Sequence, residues 1–271
     1  MNNNLVVSKE EQRKIQLNGL LYIKKLCDEN NIKYFLISGT LLGAVKYKGY
    51  IPWDDDIDIC LFRSDYLRLI EIIEKDHNPD YEVLTIYNTK DYYYPFAKLV
   101  SKKTKLLDNA KEIKKMGVFI DVFPIDCFND DIYNVFRKMH FIRNMCSKRM
   151  RIKNSNNSGT KVRFKFIKDI IYNIVDIISL PLGYRYWALK LDNMLSKYNN
   201  GKYVDTLYFD EVLKFDKCLF EKQAEYEFEG YKFTSIENYD KYLKMVYGDY
   251  WLEPPLSERH SPHQLDVKWR R

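Results

Sequence analysis

Two short segments near the start of the chain constrain its fold and chemistry most strongly. Residues 38–43 are Ser-Gly-Thr-Leu-Leu-Gly, and residues 51–59 are Ile-Pro-Trp-Asp-Asp-Asp-Ile-Asp-Ile. The first segment predicts a tight turn that leads into a short helix capped by Thr40. The second predicts a strand over residues 56–61 that opens with alternating acidic residues. A helix start beside an acidic strand is suited to holding a phosphate next to a divalent metal ion.

The acidic strand predicts a metal site. Side chains alternate across a strand, so Asp54, Asp56 and Asp58 share one face if the extended backbone begins that early. Carboxylate oxygens favour Mg²⁺ or Mn²⁺ over zinc. The same spacing also begins a calcium-binding loop, but Ile59 stands where that loop requires glycine. We therefore expect these aspartates to bind one or two such ions, and the alternative is a solvated acidic turn.

A further aspartate stands alone in an apolar strand. Residues 118–123 are Val-Phe-Ile-Asp-Val-Phe, and burying the Asp121 carboxylate is costly unless it is paired or bound to a metal. A neighbouring strand that brings Asp121 beside Asp56 and Asp58 would meet this requirement. We expect Asp121 to be a metal ligand, with a hydrogen-bonded structural aspartate as the alternative. Asp126 follows Pro124 and is expected beyond the strand.

Glycine, threonine and lysine residues near the acidic strand predict a phosphate site. Gly39 permits close approach of the backbone to a ligand, and Thr40 offers a hydroxyl at a helix start that attracts anions. Lys46 and Lys48, in the loop before the acidic strand, are candidates for binding a diphosphate or are simply solvated. Lys98 lies in an apolar strand over residues 95–100, where it would neutralise a phosphate.

Composition excludes several classes of function. Lysine and arginine number 44 and aspartate and glutamate 38, a net charge of +6 that suits an anionic substrate or membrane surface but not a dedicated nucleic-acid binder. None of the five cysteines forms a Cys-x-x-Cys pair, so no zinc cluster or disulfide framework is expected. Without a secretory signal or an uncharged membrane span, we expect a cytoplasmic protein.

The motifs lie in the first half of the chain. Helical and strand patterns alternate over residues 1–150, whereas residues 151–271 are expected to be mainly helical and to complete the cleft in one compact unit. Within the second half, residues 225–233 predict a hairpin and residues 238–247 a last helix, followed by an irregular tail.

These motifs resemble the LicD family of phosphotransferases, which is similar in fold to nucleotidyltransferases. The resemblance is carried by residues 39–45, 48–58, 97–99, 119–124 and 242–255. It implies an α+β (α/β) fold with a mixed β-sheet core flanked by helices and a helical C-terminal half. The family commonly has Arg-His where this chain has Lys46 and Tyr47. The lysine keeps the positive charge but loses a bidentate phosphate contact. The tyrosine removes the titratable group that the histidine would supply.

The resemblance also implies transfer of phosphocholine from CDP-choline to a sugar hydroxyl of a lipid-linked glycan, such as a teichoic acid precursor, at the inner face of the membrane. In that reaction Asp56, Asp58 and Asp121 would be catalytic, and Asp121 is the first candidate for general base. Lys46 and Lys98 would stabilise phosphates. Helix 165–179 is a candidate for peripheral membrane contact, with a core helix as the alternative.

Aromatic and tail residues complete the set of candidates. A quaternary ammonium is best held by aromatic faces, so Trp53 and the tyrosines 92–94 are candidates for choline contacts. Arg259 and His260 are expected to fold over the cleft near the donor. The same acidic constellation also suits a nucleotidyltransferase or another phosphotransferase that uses a CDP-linked or sugar-nucleotide donor. A glycosyltransferase or a non-catalytic choline or glycan receptor is a more distant alternative.

Overall fold

The computed structural model describes residues 6–92, 94–107, 114–135, 137–138, 183–197, 200–205, 213–259 and 266–270. The expected domain boundary at residue 150 and helix 165–179 lie outside these residues. The principal helices in this part are α1 Lys9–Asn30, α2 Ser38–Tyr47, α3 Arg63–Asp76, α4 Gly183–Leu195 and α5 Tyr239–Tyr247. The strands are β1 Phe35–Leu36, β2 Asp58–Phe62, β3 Tyr81–Leu84, β4 Ala97–Ser101, β5 Thr104–Leu106, β6 Phe119–Phe128, β7 Tyr203–Asp205, β8 Phe215–Asp216, β9 Gln223–Phe228, β10 Tyr231–Ile236 and β11 Val267–Trp269.

A mixed sheet forms the centre of the molecule. Its strands follow the order β1-β2-β6-β4-β3, and β7 and β8 extend it from the second half of β6. Strands β2 and β6 are parallel, whereas the other pairs are antiparallel. The expected α/β fold with a mixed sheet is thereby confirmed.

Helices α1 and α3 cover one face of this sheet. The start of α1 is fixed by Ser8 and Glu11, each of which bonds the backbone N–H of the other. Gly19 of α1 lies so close to the sheet that a Cβ there would be 3.1 Å from Ile120 and 3.4 Å from Leu99. Both apolar side chains therefore point toward α1, and their neighbours in β4 and β6 point to the opposite face.

Strand β6 is longer than the sequence indicated. The prediction that Asp126 lies beyond the strand is wrong, because β6 continues through Pro124 to Phe128. On one edge, β6 pairs with β4 up to Val122 and with β7 from Asp126 onward. Pro124 lies between these two pairings, so its missing N–H interrupts neither ladder.

The described residues after position 200 form the five strands β7–β11 in addition to helix α5. The hairpin predicted over residues 225–233 is confirmed by β9 and β10, which pair through residues 223–236. The expected irregular tail is wrong for residues 267–269, which form β11 against β5. Val267 is buried there, and pairing between segments so distant in the sequence could not be derived from local pattern.

Candidate active site

Three charged side chains form a row across the centre of the sheet. Asp58 of β2 is paired in register with Asp121 of β6, and Asp121 is in turn paired with Lys98 of β4. Residues in register on neighbouring strands share a face, and this face is opposite α1. The prediction that a neighbouring strand brings Asp121 beside Asp56 and Asp58 is therefore confirmed for Asp58, whereas Asp56 precedes β2. All three residues are buried.

Lys98 is held in this row by charge and by aromatic rings. Its ammonium group donates a short hydrogen bond to the Asp121 carboxylate. It also lies 3.6 Å from the ring centre of Phe119 and 4.8 Å from that of Tyr94. Rings that present their faces to a cation stabilise it in a buried place. Lys98 thus neutralises part of the negative charge that Asp121 brings to the site.

Asp54 and Asp56 approach the site from a turn and not from a strand. Strand β2 begins at Asp58, so the expected alternation of Asp54, Asp56 and Asp58 along one strand is wrong. Instead, one carboxylate oxygen each from Asp54, Asp55 and Asp56 lies within 4.8 Å of the others. Asp55 was not expected in this cluster, because a strand would have pointed it away.

Helix α1 holds this acidic turn in place. Arg13 donates hydrogen bonds to the carbonyl oxygens of Asp54 at 2.7 Å and Ile51 at 3.0 Å. Gln16 donates to the carbonyl oxygen of Asp55 at 2.9 Å and to that of Phe119 in β6 at 3.2 Å. These contacts satisfy backbone acceptors of an irregular segment and tie the turn to the sheet.

Burial and the neighbouring carboxylates change the protonation of Asp54. Burial, and then the nearby charge of Asp56, raise the pKa of Asp54 to about 7. Backbone hydrogen bonding from Asp55 opposes this shift only in part. A divalent cation would remove the electrostatic cost of such a cluster, and the donors are the carboxylate oxygens that Mg²⁺ and Mn²⁺ prefer. The residues present therefore fit a metal of this kind.

The start of α2 lies against the acidic turn. A Cβ on Gly39 would be 2.6 Å from Oδ2 of Asp54, so only glycine lets this carboxylate approach the helix start so closely. Thr40 is not the cap of the helix as predicted, because α2 begins at Ser38. Its hydroxyl accepts a hydrogen bond from the Asp58 backbone N–H at 2.9 Å and so fixes the first residue of β2.

Ser38 is a site residue that sequence reasoning missed. It has a φ of 51°, a left-handed conformation that is uncommon for serine, at the first residue of α2. Its side chain is fully buried, and among the described residues its Oγ has no hydrogen-bond partner. Strained backbone with an unsatisfied polar atom is often found where a ligand binds. The serine in the Ser-Gly-Thr segment was the available signal.

Lys46 and Lys48 make ion pairs in this structure. Lys46, at the end of α2, donates to the carbonyl oxygens of Tyr250 at 3.3 Å and Trp251 at 3.1 Å and lies 3.5 Å from Glu253. Lys48 is largely exposed and lies 3.5 Å from Glu227 in β9. Through its hydrogen bonds, Lys46 anchors the segment that follows α5.

That segment, residues 250–259, brings Arg259 to Trp53. The guanidinium carbon of Arg259 lies 5.1 Å from the ring centre of Trp53, and one of its nitrogens lies 3.0 Å from Glu253. The structure thus places Arg259 beside Trp53, which precedes the acidic turn, and its expected place near the donor stays a prediction. His260 and Tyr93 lie outside the described residues.

The chain matches known proteins, one of them over most of its length and others over shorter parts. Residues 31–155 match the family described as LicD/FKTN/FKRP, nucleotidyltransferase domain. This chain therefore resembles the LicD family over residues 31–155, just under half of its length. It is 29% identical over 267 residues to the lipopolysaccharide cholinephosphotransferase LicD of Haemophilus influenzae, an alignment that covers 94% of this chain and 95% of that protein. An uncharacterized protein of Rickettsia prowazekii is 38% identical over 88 residues, which is 29% of this chain and 33% of that protein.

Proposed function

We propose that this protein transfers phosphocholine from CDP-choline to a sugar hydroxyl of a cell-surface glycan and releases CMP. The name of the Haemophilus relative, which aligns along nearly its whole length, supports phosphocholine as the transferred group. That name specifies lipopolysaccharide as the acceptor of the relative. For this chain we propose a lipid-linked glycan as the acceptor, for example a teichoic acid precursor. Among the described residues no helix is long and apolar enough to cross a bilayer.

The observation that carries the proposal is the convergence of two strands and a helix start. Asp58 and Asp121 lie in register on β2 and β6, and Thr40 at the start of α2 bonds the backbone of Asp58. The free N–H groups at a helix start favour a phosphate, and carboxylates beside them favour a dication. A nucleoside diphosphate with its metal fits this combination.

We propose that Asp54, Asp56, Asp58 and Asp121 would hold Mg²⁺ or Mn²⁺. When bound, such an ion neutralises charge on the diphosphate and on the departing CMP.

Ser38 and Gly39 would orient the phosphates through the backbone and the buried hydroxyl. Lys98 and Lys46 are proposed to offset the remaining negative charge, although Lys98 would do so while paired with Asp121.

We assign to Asp121 the role of general base for the acceptor hydroxyl. As the sugar oxygen forms a bond to phosphorus, the bond between that phosphorus and the CMP oxygen breaks, and Asp121 takes the hydroxyl proton as general base. The ammonium group of Lys98 occupies one oxygen of the Asp121 carboxylate through its ion pair. The sugar hydroxyl must therefore approach from the open side of the row, away from Lys98.

A nucleotidyltransferase is the second candidate, because the family description names that domain. It would join the CMP part of a donor to the acceptor and release another group. The two reactions use the same acidic residues but give different products. Free CMP supports phosphocholine transfer, whereas pyrophosphate would support nucleotidyl transfer from a nucleoside triphosphate.

Substitution of the proposed ligands tests the function. We expect Asp56→Asn and Asp58→Asn to reduce transfer by at least about a hundredfold, because each removes a charge that balances the metal. Glu227→Gln, whose carboxylate pairs with the exposed Lys48, is the matched control and should retain activity. Transfer is measured as CMP released with Mg²⁺ and with EDTA. Normal turnover of the Asp56 and Asp58 variants, or in EDTA, would contradict the metal role.

A further inference from the structure

A compact cluster of two aromatic rings, one carboxylate and two cations lies beside the acidic turn. The rings of Tyr47 and Trp53 are 6.4 Å apart and nearly perpendicular. Glu253 accepts a short hydrogen bond from the Tyr47 hydroxyl and lies between Lys46, at 3.5 Å, and Arg259, at 3.0 Å. Each ring also carries a cation, since Lys46 lies 5.5 Å from the centre of Tyr47 and Arg259 lies 5.1 Å from that of Trp53.

We infer that Trp53, Tyr47 and Glu253 form the binding site for the quaternary ammonium group of the donor, and that Arg259 occupies the Trp53 face until the donor displaces it. A methylated ammonium has no N–H to donate, so aromatic faces and a nearby carboxylate are the groups that recognise it. This inference rests on the proposed function for the identity of the donor, and it assigns the residues that select choline.

The cluster adjoins the part of the acidic turn that lies against the start of α2. Trp53 directly precedes Asp54, and the carboxylate of Asp54 lies against Gly39 at the start of α2. We therefore infer that a donor whose phosphate binds at Gly39 places its ammonium group at Trp53, the neighbour of Asp54 in the chain. Arg13 also lies over an aromatic ring near the turn, 4.6 Å from the centre of Tyr50, but its guanidinium is engaged by the carbonyl oxygens of residues 51, 52 and 54.

Charge balance explains why the exchange is feasible. Glu253 pairs with two cations, and replacing the guanidinium of Arg259 by an ammonium leaves the net charge of the cluster unchanged. The Tyr47 hydrogen bond and then the nearby cations keep the pKa of Glu253 below its ordinary value, so the carboxylate stays ionised. Arg259 also donates a hydrogen bond from Nε to the carbonyl oxygen of Pro254 at 2.8 Å.

Binding measurements with matched nucleotides test the inference without requiring transfer. Calorimetry with Mg²⁺ compares the affinity for CDP-choline with that for CDP, which shares the diphosphate but lacks the ammonium group. We expect Trp53→Leu to weaken CDP-choline binding about five- to thirtyfold and to leave CDP binding nearly unchanged. Glu253→Gln should act in the same direction. Trp251→Leu, which removes an exposed tryptophan of the same segment outside the cluster, is the control.

Arg259→Gln should change the preference for CDP-choline in the direction opposite to Trp53→Leu, which makes it a sharper test. Because it removes the competing cation, it should increase the preference for CDP-choline over CDP. A CDP conjugate of 3,3-dimethylbutanol, which has the shape of choline without its charge, should bind like CDP. The inference is overturned if Trp53→Leu weakens CDP and CDP-choline equally, or if Arg259→Gln lowers the preference.

The same experiment separates this inference from the proposed function. If the wild-type protein binds CDP-choline more tightly than CDP through Trp53 but forms no phosphocholine product, the site stands and the transferase proposal fails. If transfer occurs and Trp53→Leu retains the full preference for CDP-choline, the transferase proposal stands and the assigned site is wrong.

Discussion

At the scale of single residues, the acidic turn is a place where function opposes stability. Asp54 is partly buried beside Asp56, and its pKa is raised to about 7. In the metal-free protein this carboxylate is protonated more readily than in the unfolded chain. The free energy of unfolding therefore falls as the pH rises from the pKa that Asp54 has in the unfolded chain to the pKa that it has in the fold. A bound dication would reverse this loss by favouring the ionised form.

Asp54→Asn should accordingly stabilise the metal-free protein at alkaline pH. Asparagine keeps an oxygen that can accept the Asp55 backbone hydrogen bond and removes the charge. The variant should gain at least about 1 kcal/mol in free energy of unfolding over the wild type at about pH 8, and much less at about pH 4. Urea unfolding in EDTA measures both values. A gain that is equal at the two pH values would contradict the electrostatic origin.

Sequence reasoning succeeded at residues whose chemistry is unusual for their surroundings. Asp121 stands among apolar neighbours, and this alone indicated a partner on an adjacent strand. It could not identify Asp55 as part of the acidic cluster, because that depends on the turn that Arg13 and Gln16 stabilise from α1. Glu253 was missed for the same reason, since only tertiary contacts bring it to Tyr47.

At the scale of elements, two glycines allow α2 and the loop after it to pack closely. A Cβ on Gly43 would be 2.4 Å from the carbonyl oxygen of Gly49, which belongs to the backbone. A Cβ on Gly49 would be 2.2 Å from Oε1 of Glu229, the end of a flexible side chain. Glu229 lies between β9 and β10 and accepts a hydrogen bond from the Tyr50 N–H at 3.1 Å, so the hairpin holds this loop.

The two glycines should therefore differ in their tolerance of alanine. Gly43→Ala requires the loop backbone to move and should lower the free energy of unfolding by about 1–3 kcal/mol. Gly49→Ala requires only that Glu229 rotate, at the loss of one partly buried hydrogen bond, and should cost about 1 kcal/mol. Denaturant unfolding compares them directly. Equal destabilisation by the two substitutions would contradict the packing described here.

Element bounds followed local pattern where capping and periodicity decide them, as in α1 and in the β9–β10 hairpin. They failed where a distant strand extends an element. Strand β6 passes Pro124 because β7 pairs with its second half, and β11 forms because β5 offers an edge. Neither partner is adjacent in the sequence, so local signals could not predict these strands.

At the scale of the whole molecule, one buried arginine joins three elements. Arg63 of α3 donates to Asp126 of β6 at 2.8 Å and to Asp192 of α4 at 2.6 Å. The hydroxyl of Tyr87 donates a short hydrogen bond to Asp192 as well. All three charged residues are buried, so the network fixes α4 against the central sheet.

Removing this arginine should cost more than removing an exposed one on the same helix. Arg63→Met leaves two buried carboxylates without their guanidinium and should lower the free energy of unfolding by about 3–5 kcal/mol. Arg68→Met, at a half-exposed ion pair with Asp65, should cost about 1 kcal/mol or less. Guanidinium unfolding of both variants tests the difference, and a mild effect of Arg63→Met would contradict a structural role for the network.

The fate of the donor's two phosphorus atoms tests the proposed reaction most directly. CDP-choline is labelled with radioactive phosphorus only in the phosphate next to choline, and the protein is incubated with Mg²⁺ and a lipid-linked glycan acceptor. Transfer at this site predicts that the label moves to the glycan while unlabelled CMP is released. Label that stays with the nucleotide, or a glycan that carries cytidine, would contradict the account.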